Sequence, residues 1–78
     1  MEFKRITFDP NLYYGKPVMK GTRIPVYCIL ELVAEGIPFD KIIQDHYPAL
    51  TVEHIQEALL LATTLLKDEA VCLPYPEQ

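Results

Sequence analysis

A chain of 78 residues, half of them apolar, with seven basic and eleven acidic side chains, has room for one domain and a small core, and excludes a multi-domain machine. Its longest apolar run, ALLLA at 58–62, is far too short to cross a membrane. No apolar run follows the charges of MEFKRITF, so no secretory leader is read and a cytoplasmic location is expected. Two cysteines, Cys28 and Cys72, do not make a disulfide scaffold, and Cys28 reads as a small buried thiol within an apolar pattern. So small a core makes a second copy or a bound partner the default expectation.

In chain order, RITF at 5–8 alternates polar and apolar and predicts a short strand. DPNLYYG at 9–15 is rich in turn residues, and PVMKG is expected to pair back as a second strand with Pro17 at its start, where a missing N–H is tolerated. The first helix is predicted from Pro25 to Glu35, with Val26, Ile29, Leu30 and Val33 on one face and Gly36 as its stop. A second helix is predicted over 38–47, with Phe39, Ile42 and Ile43 inward and Pro48 closing it. Thr51 is placed to cap a third helix that reaches Asp68, with Glu53 suited to its dipole. Its inward stripe reads as Val52, Ile55, Leu59, Ala62 and Leu66, widened by Ala58 and Leu65. Leu60, Leu61 and Leu65 exceed what one small core absorbs and are candidates for a partner interface, with a homodimer expected. The tail, LPYPEQ, reads as extended. The expected organisation is a basic arm over 1–24, a three-helix unit over 25–68 and a tail over 69–78.

Charge is distributed unevenly along this frame. Residues 1–25 carry five cations against two carboxylates, whereas 26–78 carry two against nine. A basic arm on an acidic body suits a phosphate backbone or an acidic partner. Lys4, Arg5, Lys16, Lys20 and Arg23 are therefore candidate contacts to DNA phosphates, with Arg23 equally suited to an internal ion pair. Three helices, the last two joined by a tight turn at YPAL, match a helix-turn-helix in outline. The start of the third helix offers His54 and Gln56 as further candidate DNA contacts, but Glu53 and Glu57 beside them would repel phosphates.

Catalytic readings find little support. Gly15-Lys16 is not a phosphate loop, because Pro17 stands where Ser or Thr is required and Pro10 where the first glycine belongs. The chain has no serine, which removes a Ser-His-Asp triad. His46 and His54 have no partners at zinc-ligand spacing, and neither a metal nor a cofactor is expected. Tyr13, Tyr14 and Tyr47 read as packing groups, the first two with a weaker capacity to stack on bases.

GKPVMKGTRIPV at 15–26, followed by ILELVAEG, YPAL and TVEHIQEAL, resembles the DUF433 family of small bacterial and archaeal proteins over about residues 4–66. The family pattern falls on Gly15, Lys16, Pro17, Gly21, Thr22, Arg23 and Pro25, then on Gly36, Tyr47, Pro48 and Leu50. Position 38, where the family often has a small capping residue, is Pro38, and its frequent isoleucine at 19 is Met19. The resemblance implies a mainly α, homeodomain-like helix-turn-helix bundle with a short N-terminal β-hairpin or β arm. It also implies a VapB-type antitoxin that binds double-stranded DNA and pairs with a PIN-like ribonuclease toxin. A protein-interaction module that neutralises or scaffolds a partner without DNA is the alternative. Neither is an enzyme.

Overall fold

The computed structural model describes residues 3–11 and 13–68. Strand β1 (Ile6–Phe8) pairs antiparallel with β2 (Pro17–Met19), setting Ile6 opposite Met19, Thr7 opposite Val18 and Phe8 opposite Pro17. Three helices follow: α1 (Val26–Ala34), α2 (Phe39–Asp45) and α3 (Val52–Asp68). The fold is mainly α with a short β-hairpin, as expected. The predicted extended tail and Cys72 lie outside the described residues.

Two three-residue strands are marginal on their own. Here they hold because Ile6 and Met19 enter the same core as the helices. That core comprises Ile6 and Met19 from the hairpin, Val26 and Ile29 from α1, Ile42 from α2, Leu50 from the following turn, and Ile55, Ala58 and Leu61 from α3. The N-terminal segment is thus docked rather than a free arm. Leu30, Val33, Phe39, Ile43 and Tyr47 pack around its edge.

Local chemistry explains the boundaries. Pro25 is extended and immediately precedes α1, without a side-chain cap; the helix starts one residue later than the sequence suggests. At its other end Gly36 takes φ +85°. Its N–H reaches the Val33 carbonyl, and that of Ile37 reaches Leu32. This is the Schellman arrangement, in which a glycine without Cβ adopts the left-handed position and two carbonyls are satisfied. Between α2 and α3 the Leu50 N–H bonds to the Tyr47 carbonyl, which makes YPAL the tight turn expected.

The segment between β2 and α1 is locked by Thr22. Its hydroxyl donates to the Met19 carbonyl at 2.7 Å and accepts the Ile24 N–H at 3.0 Å, while Met19 N–H bonds to the Ile24 carbonyl. Gly21, at φ +78°, allows the chain to reverse there. Thr22 thus closes the loop that precedes α1. Thr22→Val removes both side-chain bonds in an equal volume and is expected to cost about 1–2 kcal/mol, read as a lower melting temperature.

The α3 stripe differs from expectation. Ile55, Ala58 and Leu61 are buried and Leu59 and Ala62 half-buried, whereas Val52, Leu65 and Leu66 are exposed. The buried face of α3 includes Ile55 and Ala58, as expected, and takes in Leu61, which the predicted stripe left out. Leu61 is 4% exposed, so the core absorbs it and it is not a free interface residue. Leu60 and Leu65 stay exposed.

Candidate functional site

The cations of the N-terminal segment separate into one that is committed and four that are not. Arg5, just before β1, reaches Glu57 in the second turn of α3. Glu57 Oε1 accepts the Arg5 backbone N–H at 3.0 Å, and Oε2 accepts guanidinium Nη1 at 2.6 Å. The Glu57 side chain is 15% exposed and that of Arg5 39%. Burial pushes the Glu57 carboxyl up, but the hydrogen bonds from Arg5 and its positive charge outweigh burial and hold it below the usual carboxylate range. A sequence of this kind offers no signal for a pairing across 52 positions. The internal ion pair expected as an option at Arg23 is made by Arg5 instead.

Lys4, Lys16, Lys20 and Arg23 are exposed, and among the described residues none of them forms an ion pair. Three of the four lie within eight residues on the segment that β2 and the Thr22 loop hold rigid. Lys20 is further fixed through its backbone, whose N–H bonds to the Arg5 carbonyl at 2.8 Å. Three of the four uncommitted cations, Lys16, Lys20 and Arg23, therefore lie on or beside an ordered segment. Tyr14, expected as a packing group, is 99% exposed and has a positive φ of 57°; the side chain of Tyr13 lies outside the described ones.

The start of α3 is acidic and partly self-engaged. Thr51 precedes the helix, and its backbone N–H donates to Nδ1 of His54 at 3.0 Å, with the Thr51 hydroxyl 2.9 Å from the same nitrogen. His54 thus acts as the reaching partner of a capping box, the place usually held by Glu or Gln. Glu53 is exposed, and its carboxyl is held low first by its own backbone N–H and then by the Thr51 hydroxyl. Gln56 is exposed. Of the two α3 candidates for DNA contact, His54 is occupied in the cap and Gln56 is uncommitted. His54→Ala is expected to cost about 0.5–1 kcal/mol and His54→Glu to cost nothing, compared by thermal melts at neutral pH.

An apolar groove of about 420 Å³ lies between the hairpin, α1 and α3. Buried Val26 and Leu61 and half-buried Ala62 form its base, with Tyr27 and Leu30 from α1 and Leu65 from α3 beside them. Pro17 and Lys16 complete it, Lys16 being its charged residue. No cluster of three metal-ligating side chains exists among the described residues, and none of their helices is long and apolar enough to cross a membrane.

The family model described as "Protein of unknown function (DUF433)" matches residues 6–62, from β1 through the groove-lining turn of α3. "Uncharacterized protein y4eO" of Sinorhizobium fredii (strain NBRC 101917 / NGR234) is 35% identical over 57 residues. That match takes in 73% of this chain and 25% of y4eO, so the chain spans about a quarter of that relative's length. No solved structure matches the chain significantly. The hairpin, the Thr22 loop, α1, α2 and the first eleven residues of α3 fall within that match, and the chain belongs to the DUF433 family.

Proposed function

We propose that this protein is a non-catalytic, DNA-binding regulator of the antitoxin type, with a PIN-like ribonuclease toxin as the partner that its family resemblance implies. The observation that carries the DNA part is the group of four exposed cations, Lys4, Lys16, Lys20 and Arg23, left unpaired among the described residues on a body that is otherwise acidic. Such groups neutralise phosphates and fix orientation without reading bases. Because Glu53 is exposed at the start of α3 and Glu57 is held by Arg5, base readout from that turn is disfavoured, and the proposal places affinity on the hairpin and the Thr22 loop. The helix-turn-helix, homeodomain-like reading of α2 and α3 belongs to the same proposal.

A protein-interaction module without DNA is the second reading, favoured by the acidic start of α3 and by the apolar groove. Titration against double-stranded DNA at several salt concentrations separates the two, since phosphate contacts make log affinity fall with log salt. Absence of salt-dependent DNA binding by the folded protein leaves the second reading standing.

A further inference from the structure

We propose that Tyr14 is a stacking platform for an unpaired nucleic-acid base, a role that rests on the DNA-binding reading above and narrows its ligand to locally opened strands. Folding gives no reason for a tyrosine here. Its side chain is 99% exposed and adds nothing to the core. Its backbone sits at φ 57° and ψ 35°, and among the described residues it alone combines a side chain with positive φ. A tyrosine enters that left-handed region at a cost that glycine and asparagine largely escape. A bulky ring kept at a strained position and left in water points to a ligand rather than to packing.

The neighbours of Tyr14 specify the chemistry of that ligand. Phe8 and Pro17 form the last pair of the hairpin, so Phe8, Tyr14 and Lys16 share its connecting end. Phe8 is 59% exposed and supplies a second ring. Lys16 is exposed and has no ion pair among the described residues. Asp9, the carboxylate of this end, is half-buried and accepts the Asn11 N–H at 2.9 Å, which leaves Lys16 as the charge presented outward. Tyr14 and Lys16 are two residues apart, at most about 7 Å between Cα atoms. A flat ring and an ammonium at that separation match one nucleotide, its base on the ring and its phosphate on the lysine. In an intact duplex the faces of each base are covered by its neighbours, so the ring gains nothing there. An unpaired base offers a π-face whatever its identity.

The test measures binding of the full chain to two labelled duplexes by fluorescence anisotropy, one fully paired and one with three unpaired thymidines at its centre. The wild type is expected to favour the opened duplex by about tenfold, the usual effect of one stacked base. Tyr14→Asn is expected to abolish that preference. Its affinity for the paired duplex and its salt slope should match the wild type, because no phosphate contact is lost. Tyr14→Phe keeps the ring and should keep the preference. Asparagine tolerates the left-handed backbone, so Tyr14→Asn should melt no lower than the wild type. A wild type that binds both duplexes equally, with salt-dependent affinity, overturns the stacking role and leaves DNA binding intact. A preference that survives Tyr14→Asn, or a lower melting temperature in that variant, also overturns it. Absence of binding to either duplex overturns the stacking role and the DNA-binding reading together.

Discussion

Glu57→Ala is expected to lower stability by about 2 kcal/mol, the loss of two hydrogen bonds to a carboxylate discounted for the exposure of the guanidinium. In a domain of this size that is roughly 8–16 °C of melting temperature. The cause is specific. One carboxylate holds both the backbone and the side chain of Arg5, and so fastens the start of β1 to α3. Arg5→Ala should cost less, about 1 kcal/mol, because the backbone N–H can still donate to Glu57. An equal loss in the two variants would show that only the ion pair matters and that the backbone bond contributes nothing. Thermal melts of both variants at neutral pH decide it.

The same carboxylate predicts a pH dependence with a defined sign. Its folded-state value lies below the ordinary one, so the unfolded chain takes up the proton first as pH falls. The stabilisation is complete above the unfolded value of about 4.3 and is lost as pH drops through the depressed folded value. Wild-type stability should therefore fall more steeply between about pH 5 and 3 than that of Glu57→Gln, which has no charge to lose. Parallel slopes for the two proteins would place the acid sensitivity elsewhere, with Glu53 the next candidate because its carboxyl is also held low.

Much of this architecture was legible because its signals are local. Pro25 and Gly36 bracket α1, Thr51 marks the start of α3, and the period-two pattern of RITF marks β1; each acts through backbone geometry that a neighbour or two determine. The inward faces of α1 and α2 followed from spacing alone. The α3 face did not, because which leucines a wide apolar helix buries depends on what packs against it. Once Ile6 and Met19 dock beside α1, Leu61 turns inward and Leu66 outward, and no periodicity within 52–68 encodes that choice. The candidate site divided in the same way. A cluster of cations near the N-terminus is countable in the sequence, but the selection of Arg5 rather than Arg23 for the internal pair rests on contact between residues 5 and 57. The role of His54 was hidden for another reason: histidine is not the expected residue at that position of a capping box, so its spacing from Thr51 carried no signal.

The double variant Lys16→Ala/Lys20→Ala is expected to weaken DNA binding on every sequence alike and to flatten the salt slope by roughly 2, about one unit for each phosphate contact removed. Both side chains are exposed and unpaired among the described residues, so the folded state should be untouched and the melting curve should match the wild type. Arg23→Ala now belongs in the same series. Exposed and without an ion pair among the described residues, it should reduce the slope by about one more unit and leave stability within about 0.5 kcal/mol. Arg5→Ala serves as the contrast, since it should lower the melting temperature and change the slope little, its guanidinium being held by Glu57. A slope that stays at the wild-type value in the folded double lysine variant would remove the hairpin from DNA contact and leave the acidic, grooved surface as the working face of a protein-interaction module.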